Sequence, residues 1–494
     1  MKTETEIPSK YGDLNFIINN TLSSSILPFI LVTVVTIGFY LWNPVLFILV
    51  IAFAVPCLIA LSNFTRGFYV YLFILPFAYF LKRLLFLFPE VTQIEWFVAT
   101  ALPDLVLISA LCNLILCKDH RMPKSASLVP VSLFLLWCIL EIFNPNISVV
   151  IGISGFKKTA FYIIIYYLVI AVANRDNKVV DKIANITIVC SIIVTVYEFI
   201  QIYYGFFSFE ISMINSGLTN LTVDSIDVLF PEGVLRPFST FSGPWVMGDY
   251  LVIGFMFNLF KYLKGKVNFW KFILISFWIG LGIFFSLSRT SYLMLIISLL
   301  FFYTFKRGSK RSLVHKLVII SLGISLIVFA VIYMSENSSE GLGTAIFSLS
   351  SLFSRMELWD SILDVSTFTV VGLGIGSSQA SFYFGKSIVA ESHSFLLTLI
   401  FEIGFIGVGL FLRILYIIIR DVLVRMKSTV FYIDHLTLNL LLSISIAMVI
   451  TKSMGGGLWG QHMHDNYLWI FFGILSSLSM NGSLKARVMF EKLN

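Results

Sequence analysis

NFWKFILISFWIGLGIFFSLSRTSYLMLIISLLFFYTFKRGSKR, residues 268–311, decides the architecture. Two apolar runs, 268–286 and 289–305, stand almost back to back and meet at a single cation, Arg289. Basic residues collect at the far ends instead: Lys264, Lys266 and Lys271 around the start of the first run, and Lys306, Arg307, Lys310, Arg311 and Lys316 after the second. A helix made from either run, with some tilt, can cross a hydrocarbon core of about 30 Å. Lys and Arg concentrate on the inner side of a membrane, so the stretch reads as a hairpin with its ends inside and Arg289 on the outer face.

The pattern continues in both directions. Apolar runs also fall at 25–42, 44–62, 67–88, 95–117, 127–143, 158–174, 183–204, 244–263, 317–334, 394–416, 436–453 and 466–480. Together they predict an all-α polytopic membrane protein of about fourteen transmembrane helices. Of 494 residues, 58% are hydrophobic and 12% charged, more apolar side chain than a soluble core could hide. Every second loop carries a basic cluster, as at Lys118, Arg121 and Lys124, at Arg175, Lys178 and Lys182, and at Arg420, Arg425 and Lys427, so both termini are expected in the cytoplasm. The net charge of +7 comes from these loops and is no nucleic-acid footprint. Five cysteines in or beside apolar runs, with no CxxC pair, predict neither a disulfide nor a cysteine metal site. The polar start MKTETEIPSK lacks a following small-residue cleavage site, so the first span is expected to stay in the membrane.

Two outward segments are too long to be plain connectors. They divide the chain into N-terminal helices (1–204), a first outer loop (205–243), further helices (244–334), a large outer loop (335–392) and C-terminal helices (393–494). Within the large loop, LFSRMELWDSILDV at 352–365 gathers Glu357, Asp360, Ser361 and Asp364 on one side of a helical wheel and apolar residues on the rest, an amphipathic helix. Arg355 falls opposite the acidic stripe, where a guanidinium needs a partner. Arg236, Arg289, Arg355 and His393 all map to the outer face, and both outer loops are otherwise acidic or mixed. Each arginine alone reads as a headgroup anchor or structural ion pair; three together suit bidentate capture of a phosphate or pyrophosphate. His393, where the large loop meets a span, reads either as a polar helix cap or as a base for a hydroxyl. Glu402, nine residues on, faces the other side of that helix and is poorly placed to orient it.

Secondary candidates are weaker. Lys82, Arg83, Lys157 and Lys158 lie towards the outer side, either extending a cationic lining or snorkelling. His462, His464 and Asp465 form an HxHD group on an expected short outer turn; a spacing of two does not suit one helical face, and a polar interfacial loop is the preferred reading over a metal site. Gly372, Gly374 and Gly376 in VVGLGIGSS lack the strand and lysine of a phosphate loop and read as a flexible or closely packed segment. No DxD or HExxH occurs, so neither metal nor cofactor is expected.

RPFSTFSGPWVMGDYL (236–251), SRTSYL (288–293), SRMELW (354–359), VVGLGIGS (370–377) and HSFLLTLIFEIGFIGVGLF (393–411) resemble, in order and spacing, the signature stretch of the bacterial O-antigen ligase and polysaccharide polymerase superfamily. The likeness covers the C-terminal half; Ser394 stands where the family often has asparagine, and Trp245 to Gly248 replace another motif asparagine. The resemblance implies a GT-C-like membrane glycosyltransferase that moves a glycan from an undecaprenyl-pyrophosphate carrier on the outer side of the bacterial cytoplasmic membrane. It implies pyrophosphate binding by Arg236, Arg289 and Arg355, and activation of the acceptor hydroxyl by His393. The expected partners are the carrier-linked donor, a glycan or lipid-linked acceptor, the lipid bilayer, and flippase and chain-length regulator proteins.

Attack of a hydroxyl on the anomeric carbon displaces lipid pyrophosphate, so the site's task is to hold growing negative charge, which arginines do without a metal and with inversion. The preferred reading is a polymerase of carrier-linked repeat units into O-antigen, capsule or exopolysaccharide; the alternative is a ligase passing polymer to lipid A core. A transporter of lipid-linked oligosaccharide would instead need ionisable groups deep in the spans, for which Asp249, Glu141 and Glu198 are the candidates.

Overall fold

The structure is a computed structural model and describes residues 44–88, 91–116, 125–216, 235–305, 370–378, 380–381, 394–428, 432–454 and 462–493. Among these residues every regular element is a helix. The first four are α1 (Pro44–Ser62), α2 (Phe64–Leu87, with short 3-10 turns at Pro76 and at its end), α3 (Gln93–Leu116) and α4 (Leu128–Phe143). Next come α5 (Val149–Thr159), α6 (Phe161–Arg175), α7 (Val179–Tyr204) and the short α8 (Ser208–Asn215). The second half supplies α9 (Pro244–Leu263), α10 (Phe269–Phe285), α11 (Arg289–Thr304), α12 (Phe395–Ser428), α13 (Tyr432–Met454) and α14 (His462–Leu493).

Seven of these helices are long and apolar enough to cross a membrane, or eight if the bent pair α5 and α6 forms one broken span. α4, α10 and α11 are apolar but shorter. The described residues are thus all-helical, with the features of a polytopic membrane protein. The expected spans at 25–42 and 317–334 lie outside the described residues, as do the loop helix at 352–365 and most of 335–392. One boundary differs from the sequence reading: the run at 158–174 begins one turn too early, because Lys157 and Lys158 close a separate helix, α5, that is bent by 40° from α6. Its glycines and lysines hide it from a hydropathy reading.

Exposure sorts the helices. α3 and α10 present large bare hydrophobics, with Ile115 79% and Trp270 77% exposed, surfaces that water would not tolerate and lipid would. By contrast residues 463–477 of α14 are all buried, making its first half the axis of the bundle. Lipid offers no hydrophobic drive for helix association, so close approach depends on small residues and internal hydrogen bonds. Such bonds tie α14 to its neighbours: Tyr71 to Asn466 at 2.7 Å, Thr187 to Tyr467 at 2.9 Å, and Ser127 to Ser476 at 2.8 Å.

The two ends of the bundle differ in chemistry. At one, Lys182 pairs with Asp176 (2.6 Å), and Lys264 and Lys266 pair with Asp181 (3.3 and 2.6 Å). This basic end holds the starts of α2 and α7 and the finishes of α6 and α9. The opposite end holds the starts of α9, α11, α12 and α14 and the finish of α13, and there the charges go inside.

Candidate functional site

Asp249, in the second turn of α9, is the hub of that opposite end. Its carboxylate is fully buried, as are the side chains of Lys452 in the last turn of α13 and His464 in the first turn of α14. Oδ2 receives the Lys452 ammonium in direct contact and lies 2.8 Å from His464 Nε2, while Oδ1 accepts a hydrogen bond from Ser291 Oγ at 2.7 Å. His464 Nδ1 is buried with no hydrogen-bond partner among the described residues. A charge this deep is tolerated only when paired, and here one carboxylate ties four helices together. Gly248 makes the approach feasible: a Cβ there would stand 2.5 Å from Ser291 Oγ and 2.8 Å from Ser286 Oγ.

Through this hub the residues expected on the outer face come together in part. Ser291 is two residues beyond Arg289, which opens α11 half-buried. Arg236, also half-buried, donates through Nη2 to the carbonyl of Leu287 at 2.9 Å, in the turn that leads into Arg289. The segments carrying Arg236 and Arg289 are therefore joined. Both are strained: Ser239 (φ 45°) and Leu287 (φ 48°) are the non-glycine residues with left-handed backbone among the described residues, a conformation costing about 1–3 kcal/mol and typical of functional sites. On the other side of the hub, Ser394 Oγ donates to the carbonyl of Ser453, beside Lys452. Ser394 is the residue that follows His393; His393 itself and Arg355 lie outside the described residues.

Arg83 has a different role from the one its sequence position suggested. It does not line a cationic surface: its side chain is fully buried, 2.9 Å from Glu210 of α8, and donates to the carbonyls of Ser239 (2.6 Å) and Phe241. Glu210 is held in turn by Tyr197 and Gln201 (3.1 and 2.8 Å), and Gln201 accepts from the Ser239 amide at 2.7 Å. This network clamps the segment after Arg236 onto α2, α7 and α8. Nearby, Glu198 of α7 is wholly buried and neither carboxyl oxygen has a hydrogen-bond partner among the described residues.

Lys82, Lys157 and Lys158 remain half-buried. Lys157 lies 3.2 Å from Asp104, whose other oxygen accepts from Tyr162 at 3.0 Å. The expected HxHD turn is corrected as well: His464 belongs to the first turn of α14 and faces Asp249 rather than the surface, while nothing is described of the His462 side chain.

The glycine segment is a packing point. Leu373 donates to the Phe401 carbonyl at 2.7 Å and Ile406 to that of Val370 at 3.2 Å, across a break in α12 at Gly404 (φ 66°). A Cβ on Gly372 would stand 2.6 Å from the Gly404 nitrogen, and one on Gly376 2.8 Å from Gly155, so backbones touch backbones there. Glu402, beside the break, accepts from Ser378 Oγ at 2.7 Å. The end of the large loop is thus fastened to α5 and α12 shortly before the chain reaches Ser394.

Sequence reasoning missed Lys452, because a lysine closing an apolar run reads as an interfacial residue, and it weighed Asp249 only as a sign of transport. The chain matches no family model and no curated protein.

Proposed function

We propose that the chain is a membrane glycosyltransferase of the O-antigen ligase and polymerase type, joining repeat units carried on undecaprenyl pyrophosphate at the outer face of a bacterial cytoplasmic membrane. In this reading the basic end faces the cytoplasm, as the bias of Lys and Arg favours. The observation that carries it is the joining of the Arg236 and Arg289 segments at the end of the bundle opposite the basic one, braced by Asp249, Lys452 and Ser291. A braced pair of guanidinium-bearing segments suits a diphosphate leaving group whose charge grows in the transition state. Bracing matters because donors that need not reorganise stabilise that charge most. His393, next to the Ser394 anchor, serves as the base for the acceptor hydroxyl, and Arg355 as a third anion ligand. The mechanism runs with inversion and without a metal.

The test is the product made by purified protein from a synthetic carrier-linked repeat unit in the presence of chelator. A ladder of products supports polymerisation; transfer only to an added lipid A core acceptor supports the ligase; no transfer, or activity restored solely by a divalent ion, defeats the mechanism. Arg289→Gln is expected to lower turnover by about 10²–10³-fold. One observation favours a second reading, transport of lipid-linked oligosaccharide: Glu198 is a buried carboxyl without a hydrogen-bond partner among the described residues. Cells carrying His393→Ala separate the readings. Single units stranded on the carrier outside indicate a polymerase, long carrier-bound chains a ligase, and units trapped inside a transporter.

A further inference from the structure

Glu198 takes no part in the site above. It belongs to a polar stripe on α7 with Thr187, Ser191, Thr195 and Gln201, all fully buried. Ser191 and Glu198 each meet a glycine of a neighbouring helix, Gly254 of α9 and Gly282 of α10. A Cβ on Gly282 would stand 2.7 Å from Glu198 Oε2 and 2.8 Å from Thr195 Oγ1, so the carboxyl fills a notch that a missing side chain leaves open. Aromatic rings close the seam beside it. Phe199 packs on Trp278 and Phe285 with centroids 5.1 and 5.6 Å apart, and Trp278 Nε1 donates to the Ile192 carbonyl at 3.4 Å.

The elements packed against α7 bring Glu198 no counter-ion among the described residues. α10 has no titratable residue from Phe272 to Phe285. On α9, Asp249 is committed to Lys452 and His464. On α2, Arg83 is committed to Glu210, and the Lys82 ammonium lies over the Tyr79 and Trp96 rings. On α7 itself, Tyr197 donates to Glu210. Tyr292 of α11 lies within electrostatic range of Glu198, yet its hydroxyl donates to the Phe284 carbonyl at 2.6 Å. Neither Glu198 oxygen has a hydrogen-bond partner among the described residues. An ionised carboxyl so placed is costly, and such a group takes up a proton instead.

We infer that Glu198 is a proton-binding site inside the helix bundle, which holds its proton while the seam between α7 and α10 is shut and yields it to water when the seam parts. The O–H bond breaks, its electron pair stays on the carboxylate oxygen, and the proton passes to water. Parting of the seam and proton release are thereby linked, each favouring the other. Tyr292 also lies within electrostatic range of Arg236, so the proton site adjoins one of the arginine segments. The inference holds for a transferase and for a transporter alike.

Infrared difference spectroscopy of the full chain in phosphatidylcholine nanodiscs at neutral pH, wild type against Glu198→Gln, tests this. The carbonyl band of a protonated carboxylic acid is expected to be lost in the variant, and in wild type to shift when heavy water replaces water. Loss of a carboxylate band instead, or an acid band that heavy water leaves unmoved, overturns the inference. Disappearance of the acid band on adding sodium chloride at fixed pH makes the ligand a metal cation and overturns it too. A second measurement needs wild type alone, in case the variant misfolds. Dicyclohexylcarbodiimide enters from lipid and adds to a protonated carboxyl: the acid proton passes to one nitrogen, the oxygen bonds to the central carbon, and the acyl group then migrates to nitrogen with nothing leaving. Peptide mapping is expected to find the adduct on Glu198 and none on the ion-paired Glu210 and Asp249. An unlabelled Glu198 overturns the inference.

Discussion

The two ends of the bundle use ion pairs in opposite ways. At the basic end Lys182 and Lys266 are half exposed, at 50% and 46%, and their partners Asp176 and Asp181 are largely covered. At the other end Arg83 with Glu210, and Asp249 with Lys452 and His464, are all at 0%. Exposed pairs contribute little, because solvent screens them. Buried ones contribute less than their Coulomb energy suggests, because desolvation offsets it, but they punish any change to one partner. A charge network that is costly to form and intolerant of change marks the end where geometry matters.

The largest expected effect follows from that intolerance. Asp249→Asn leaves the Lys452 ammonium unpaired in the core and should destabilise the protein by about 3–5 kcal/mol. Adding Lys452→Met should recover most of the loss in thermal denaturation, since it removes the uncompensated buried charge that makes the single change costly. Activity should stay low in the double variant, because α9, which holds Ser291 at the start of α11, loses its charged tie to α13. Full activity in the double variant would mean the hub is structural only.

The Arg83 clamp offers a comparison within the same end. Arg83→Leu strips Glu210 of its counter-ion and frees the carbonyls of Ser239 and Phe241, a loss again of about 3–5 kcal/mol in principle. Glu210 retains Tyr197 and Gln201, so the cost should fall at or below the low end of that range. Hydrogen exchange should quicken across 236–243 before it does in α9. Uniform protection in the variant would show that the segment is held by its apolar residues instead.

Gly248→Ala should cost less, about 1–3 kcal/mol, by pushing Ser291 and Ser286 away. Its effect on transfer should exceed its effect on stability, as Arg289 moves with that turn. The variant also shows what was legible in the sequence. Helices were legible because each apolar run carries its own length signal, and Arg289 stood out as a lone cation between two such runs. The hub was not, since Asp249 is far along the chain from Lys452 and His464 and no periodicity reports their pairing. For Arg83 the sequence offers lining or snorkelling and not a buried ion pair, because its partner, Glu210, lies in a loop whose helix α8 is too short to register. The residues expected to act directly, His393 and Arg355, lie outside the described residues.

The smallest effect is expected at the basic end. Asp176 lies between α6 and α7 and accepts from the Tyr69 hydroxyl at 2.7 Å and from Lys182 at 2.6 Å. Desolvation pushes its carboxyl up, but Lys182, Tyr69 and the Lys178 amide outweigh it and hold the pKa below the ordinary carboxylate value. A carboxyl with a lowered folded pKa contributes stability above its unfolded pKa and loses it as pH falls through the folded one. Asp176→Asn should therefore change stability at neutral pH by no more than about 1 kcal/mol, and the difference from wild type should vanish in acid. High salt should shrink the effect further, because Lys182 is in reach of solvent. If Asp176→Asn instead matched Asp249→Asn in magnitude, the contrast between a tolerant basic end and an intolerant opposite end would collapse, and with it the reason for placing the site where the charges are buried.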